Sequence, residues 1–151
     1  MRLDIWFDGS CRPKKITKNK CEKTGPSAVG VVVKKDGLIV YKTSRYVGLL
    51  DNNQAEYEAL LLSINIALDL GAKDVVFYTD SSLVEKQMNN KYGCFSDLLI
   101  PYYMQAKNLM YLLPNFQIKW ISRSGNKEAD RLCRKELDIF QQQELMKQGS
   151  D

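Results

Sequence analysis

Four carboxylates stand at places where a chain of this kind could do chemistry. Asp8 follows the apolar run Leu3-Asp4-Ile5-Trp6-Phe7, and Asp80 follows Val75-Val76-Phe77-Tyr78. Asp130 falls in the first turns of a C-terminal helical segment. Glu56 shares steps of three and four with Leu60, Ile64 and Ala67, so one helical face would carry a carboxylate on an apolar stripe. Each acid has an ordinary reading. Asp8 and Asp80 suit turns, Asp130 suits a helix N-terminus, and Glu56 could reach water from the mouth of its helix. Taken together they suggest something else. Carboxylates crowded without basic partners repel one another and stay ionised only around hard cations, for which Mg²⁺ or Mn²⁺ fit oxygen ligands. Two such ions roughly 4 Å apart can activate a water and stabilise the leaving oxygen of a phosphodiester. The chain has no histidine. That removes histidine-based triads and histidine acid–base catalysis, leaving carboxylates, lysines or bound metal.

These residues need a frame. A chain of 151 residues, 44% hydrophobic and 26% charged, is sized and composed for one compact domain. No apolar run approaches the roughly 20 residues of a bilayer span. The N-terminus enters directly into a strand-like run and not a signal peptide, so the expected location is cytoplasmic with no membrane contact. Cys11, Cys21, Cys94 and Cys133 form no C-x-x-C pair and lack histidine for a zinc site. Reduced thiols are expected, with Cys11 and Cys21 near enough in sequence for a local disulfide. The net charge of +4 is unevenly spread: Arg12, Lys14, Lys15, Lys18, Lys20 and Lys23 face a single acid, Glu22. Such a run is either a solvated loop or a contact for a polyanion.

The hydrophobic periods place the elements. Leu3–Phe7 reads as a strand ending at the turn signal Asp8-Gly9-Ser10, followed by a basic loop closed by Gly25-Pro26. Ala28–Val33 and Leu38 to about Val47 flank an Asp36-Gly37 turn and form a hairpin. Asp51-Asn52-Asn53 supplies cap side chains for a helix over 55–70, ended by Gly71. A buried strand over 75–78 leads to a short helix over 82–89. A further helix covers about 97–113, and a strand covers 116–121. The terminal helix begins at Asn126, and the tail from Gln141 to Asp151 is expected to fray. The prediction is an α/β domain over residues 1–140. Its five-stranded mixed sheet has three antiparallel strands plus two parallel ones, flanked by helices.

Four motifs now resemble a known family. Asp8-Gly9-Ser10 after the first strand, Asn52-Asn53-Gln54-Ala55-Glu56 opening the first helix, Thr79-Asp80-Ser81 after the fourth strand and Asn126-Lys127-Glu128-Ala129-Asp130 opening the last helix are similar to type 1 ribonuclease H. Gly25-Pro26-Ser27-Ala28-Val29-Gly30 also resembles that family's entry into its second strand, and the likeness spans Leu3 to Leu137. The resemblance implies a ribonuclease H-like fold and an endoribonuclease that cuts the RNA strand of RNA–DNA hybrids with two Mg²⁺ ions, Mn²⁺ being a substitute. It implies that Asp8 bridges both ions and that Asp130 completes the site of the ion activating water. Glu56 and Asp80 would hold the ion at the leaving 3′-oxygen, giving 5′-phosphate and 3′-hydroxyl products. Glu56 would also meet an RNA 2′-hydroxyl, a group that tells RNA from DNA. Substrate contacts would come from Gly9, Ser10, Cys11, Asn53, Gln54, Ser81, Arg123 and Asn126. The partner implied is the hybrid, with double-stranded RNA left open; a monomer is expected, since nothing in the sequence demands a dimer.

The chain also departs from the family pattern. Ser122-Arg123-Ser124-Gly125 lacks the histidine that many relatives carry before the last helix, leaving Arg123 as the candidate substitute. The stretch from Gln87 to Tyr103 has no basic, tryptophan-bearing protrusion. The loop after Cys11 is longer and more basic than usual, so Lys14 and Lys15, with Lys18 and Lys20, are candidates for backbone contacts. Asp51 stands where relatives often place a threonine that binds a DNA phosphate. Two other readings remain: another nuclease or recombinase of the same fold, and a non-catalytic nucleic-acid-binding module. The first lacks this Asn-Asn-x-x-Glu opening, and the second has no use for four acids. Trp6, Phe77, Tyr78 and Trp120 are expected in the core.

Overall fold

A computed structural model describes residues 2–149. Strand β1 (Arg2–Cys11) is followed by two short strands, β2 (Lys15–Thr17) and β3 (Lys20–Cys21), which pair only with each other. The long hairpin β4 (Gly25–Lys35) and β5 (Leu38–Leu50) leads to helix α1 (Asn52–Asp69) and strand β6 (Asp74–Thr79). Helices α2 (Ser82–Met88) and α3 (Ile100–Met110), strand β7 (Asn115–Trp120), a 3₁₀ turn (Arg123–Asn126) and helix α4 (Lys127–Gly149) complete the chain. The main sheet has the order β5-β4-β1-β6-β7. β5, β4 and β1 are antiparallel, while β6 and β7 run parallel to β1, so the sheet is the mixed five-stranded one expected.

Alternation along β1 decides which face is buried against what. Leu3, Ile5 and Phe7 point into a core shared with Val29, Val31, Val33, Val75 and Phe77, and α1 closes it with Leu60, Ile64 and Ala67. Each such aliphatic side chain contributes roughly 1.5–3 kcal/mol on burial. The capping box at Asp51 fixes where α1 begins: Gln54 N–H donates to Asp51 Oδ1 at 2.7 Å, and Asp51 N–H donates to Gln54 Oε1 at 2.9 Å. Gly71, at φ +67°, ends the helix region. On the opposite face α4 lies over β4, β1 and β5, burying Ala129, Cys133 and Leu137. Its approach is close at Gly30, where a Cβ would stand 2.3 Å from the Ala129 carbonyl oxygen.

Several sequence expectations need correction. Asp8-Gly9-Ser10 is not a turn; these residues pair with Gly30, Val29 and Ala28, and the strand continues to Cys11. Residues 12–24 are not a plain loop but contain the β2–β3 hairpin. β5 extends to Leu50, and α3 begins at Ile100 near Pro101, which occupies its first turn. The tail does not fray at Gln141, since α4 runs to Gly149. Phe140 stacks on Tyr46 with ring centroids 4.2 Å apart, and Arg12 donates to Gln141 Oε1 at 2.8 Å, so the late turns have tertiary partners. All four cysteines are free thiols. Among the described residues no helix is long and apolar enough to cross a membrane.

Candidate active site

The parallel pairing of β1 with β6 builds the site. Trp6 lies opposite Tyr78, so two residues further on each chain Asp8 and Asp80 come side by side where β6 ends and β1 runs on beyond it, on the carboxyl side at which open α/β sheets place their sites. Helix α1 arrives over this point because Gly9 has no side chain. A Cβ there would stand 2.2 Å from the Ala55 carbonyl oxygen. The close approach lets the Gly9 N–H donate to Glu56 Oε1 at 2.5 Å. Carboxylate oxygens of Asp8, Glu56 and Asp80 lie within 4.8 Å of one another. Asp8 and Glu56 are buried, 6% and 4% exposed. Glu56 therefore does not snorkel to water.

Asp130 stands beside this trio but is not among the three clustered ligand atoms. It is half-buried near the start of α4, and its Oδ2 accepts from Arg134 Nε at 2.9 Å and from Nη2 of the same guanidinium. That partner is four residues away, the i,i+4 spacing of a helix ion pair. Asp130 remains close enough for its charge to act on Asp8.

The electrostatics follow first from burial and then from crowding. Burial, then the charge of Asp80, pushes the Asp8 carboxyl from 3.8 up to about 7. Burial, then the charge of Asp8, holds Glu56 well above the usual carboxylate range, against the opposing Gly9 hydrogen bond. Burial also raises Asp80, against the hydrogen bond from Asn126 and the charge of Arg123. Carboxylates raised first by burial and then by neighbouring acids form an all-oxygen donor set suited to a hard divalent cation. The residues present thus fit the ions that the sequence suggests.

Other expected site residues divide by position. Gly9, Ser10, Asn53, Ser81 and Arg123 line a cleft of about 430 Å³ together with Asp8, Glu56 and Asp80. Gln54 is bound into the α1 capping box. Ser81 caps α2, its Oγ accepting from Val84 N–H at 3.2 Å. Cys11 sits at the strand end, its thiol donating to the Leu50 carbonyl at 3.1 Å. Asn126 is buried behind the site, where Nδ2 donates to the Phe7 carbonyl at 2.9 Å and to Asp80 Oδ2 at 3.3 Å. It braces β1 and Asp80 at once, at the expense of its own Oδ1, which is buried without a partner. Lys14 and Lys15 are exposed on the β2–β3 hairpin and do not line this cleft.

Two residues were missed by the sequence reading. Trp120, expected in the core, is 53% exposed on the cleft rim, and its indole N–H donates to the Asp80 carbonyl at 3.2 Å. β7 is an edge strand at the site end of the sheet, which alternation alone cannot reveal. The buried Cys133 thiol donates to the Asp8 carbonyl at 3.1 Å, from a helix position that gives no hint of this contact.

Comparison with known proteins agrees with this architecture. The family model described as reverse transcriptase-like matches residues 17–136. The chain is 34% identical over 138 residues to Ribonuclease HI of Halobacterium salinarum, covering 91% of this chain and 65% of that protein. It spans 33% of mycobacterial relatives that it also matches. The crystal structure of RNase H1 from Halobacterium salinarum superimposes with a TM-score of 0.83 at 33% identity, covering 92% of this chain and 99% of that one. LC11-RNase H1 in complex with an RNA/DNA hybrid superimposes with a TM-score of 0.77 at 26% identity, covering 88% and 94% of the two chains. These matches show that the chain belongs to the type 1 ribonuclease H family.

Proposed function

We propose that this chain hydrolyses the RNA strand of RNA–DNA hybrids by two-metal-ion catalysis, leaving 5′-phosphate and 3′-hydroxyl ends. The observation that carries the reading is the convergence of Asp8, Glu56 and Asp80 oxygens within 4.8 Å, with Asp130 adjoining. The hybrid bound by a structural relative supports the substrate class.

Asp8, Glu56, Asp80 and Asp130 are the residues that would hold Mg²⁺, with Mn²⁺ as a substitute. Bound there, the ions supply Lewis acidity, acidifying a water and neutralising charge on the leaving oxygen. The remaining residues orient and select. Gly9 N–H fixes the Glu56 carboxylate, and Asn126 fixes that of Asp80. Glu56, facing the cleft with Asn53, is the acceptor for an RNA 2′-hydroxyl, which DNA lacks. Asn53 and Ser81, with Ser10 on the same cleft wall, would contact the minor-groove side, and Arg123 would stand in for the histidine that assists turnover. Asp51 spends its carboxylate on the helix cap and presents no phosphate-binding hydroxyl.

The test is an end-labelled hybrid incubated with Mg²⁺ or Mn²⁺ beside double-stranded RNA and DNA, with product ends identified. Metal-dependent cutting of RNA in the hybrid, with 3′-hydroxyl ends, is expected. Hybrid binding without cutting under either ion would replace the enzyme with a binding module.

A further inference from the structure

The acid cluster leaves one strongly charged part of the molecule unused. Between Lys14 and Lys23 five lysines face one acid, Glu22, giving the segment a net +4, equal to that of the whole chain, so the remainder is balanced. All these side chains are exposed on the β2–β3 hairpin and its flanks. The hairpin is braced at its base. Arg12 N–H donates to the Pro26 carbonyl at 2.9 Å, and Glu22 N–H donates to the Lys14 carbonyl at 2.9 Å. The Arg12 guanidinium reaches α4, donating to Asp138 Oδ1 at 2.7 Å and Gln141 Oε1 at 2.8 Å. Gly25 passes so close that a Cβ would stand 2.4 Å from the Arg12 carbonyl oxygen.

At this base a second cleft of about 560 Å³ opens, lined by Arg12, Arg123, Lys127 and Arg134 with Ser10 and Asp130. Ser10 and Arg123 also line the catalytic cleft, so the two adjoin. Four cations thus gather in the cleft that adjoins the acids on one side and carries Arg12, at the base of the lysine-rich arm, on the other. The ion pairs that Arg12 and Arg134 make are partly exposed and weak enough to be exchanged for phosphate. Cations lining a cleft with one aliphatic side chain, Leu137, and no aromatic platform for base stacking suit a polyphosphate backbone.

We infer that the second cleft and the β2–β3 arm form a phosphate-binding extension that grips the hybrid's backbone beyond the nucleotides held at the acids. This inference rests on the hybrid-cleavage reading. The grip is sequence-independent, acts on binding and not on the bond broken, and weakens with salt because each contact releases a counterion.

The experiment neutralises the arm in the full chain with Lys14→Gln, Lys15→Gln, Lys18→Gln and Lys20→Gln together, all exposed positions. Cleavage is followed against salt, and equilibrium binding of the hybrid is measured with chelator. Lys35→Gln with Lys73→Gln serves as the charge control, since both lie at the far end of the sheet, where Arg2 pairs with Asp74. Expected are a KM raised about tenfold, kcat within about twofold, and a log–log salt slope shallower by about three, from four lost contacts. The control should leave KM and slope unchanged. Trimming the hybrid to the few base pairs at the acids should abolish the difference between wild type and the arm variant. An unchanged KM and slope in the arm variant, with wild type cutting normally, would overturn the inference and leave a merely solvated hairpin. Equal effects from the control would overturn it too, pointing to net charge. Arm-dependent binding without any cleavage would uphold the grip while sinking the enzymatic reading.

Discussion

The acid cluster and the basic arm are opposite solutions to placing charge on one chain. At the cluster, Asp8 and Glu56 are buried on a central strand and a long helix, and like charges are pressed together until their carboxyls are raised. On the arm, lysines of one sign are spread along an exposed two-stranded hairpin and left to solvent. Electrostatic terms are large in the first place because water is excluded, and small in the second because water and salt screen them within roughly 10 Å. The difference suggests a division of labour. The rigid, crowded region has charge concentrated enough to drive chemistry once a cation relieves it. The open region can add only affinity.

Breaking the cluster should therefore have the largest effect. Glu56→Gln keeps size and the Gly9 contact while removing a charge, and cleavage should fall roughly a thousand-fold or more. Hybrid binding should stay within a few-fold, as read by a binding isotherm. If Glu56→Gln cut at near wild-type rate, the crowding would be incidental to the chemistry.

The next effect appears in stability against pH, in chelator. The folded chain holds the Asp8 proton up to about 7, while the unfolded chain releases it near 3.8. The folded state binds more protons in that window, so stability is greatest below it and falls as pH rises through it. The loss is at most about 4 kcal/mol, shared between Asp8 and its neighbours. Melting temperature should be lower at pH 8 than at pH 5, and Mg²⁺ at pH 8 should restore it. An ion-free melting temperature that rises over this range would mean that the folded chain does not hold the Asp8 proton.

Gly9→Ala tests the positioning of the cluster instead of its charge. A methyl group 2.2 Å from the Ala55 carbonyl must push α1 off β1. We expect destabilisation of about 2–4 kcal/mol and a melting temperature lower by roughly 5–15 °C, by calorimetry. Unchanged stability would show that α1 does not rest on β1 there. On the arm, Arg12→Ala removes a partly exposed pair with Asp138 and a bond to Gln141. Stability should change by less than about 1 kcal/mol in denaturant titration. A larger loss would mean that the arm's brace is part of the core.

Much of this contrast was legible in the sequence, for physical reasons that differ by element. The core strands and α1 were legible because period-two and period-three-to-four patterns report which face is buried. Four acids at element ends were legible because an absent histidine narrows the chemistry. What failed was punctuation. Asp8-Gly9-Ser10 looks like a turn, yet Gly9 is there to let a helix backbone approach a continuing strand. The β2–β3 hairpin was invisible because its pairs lie wholly in solvent and impose no alternation. Trp120, expected in the core, and Cys133 escape the sequence pattern, since which end of an edge strand, or which face of α4, meets the site is decided by tertiary packing. Asn126, expected among the substrate contacts, has a buried amide that braces Phe7 and Asp80, a role that no sequence pattern signals.

The most direct measurement is the rate of RNA cleavage in an end-labelled hybrid by wild type and by Asp8→Asn, at saturating Mg²⁺. Wild type should cut only the RNA strand, and Asp8→Asn should lose at least roughly a thousand-fold while remaining folded, because the buried carboxylate next to both Glu56 and Asp80 is gone. Substantial cleavage by Asp8→Asn would contradict the assignment of catalysis to the four-acid cluster.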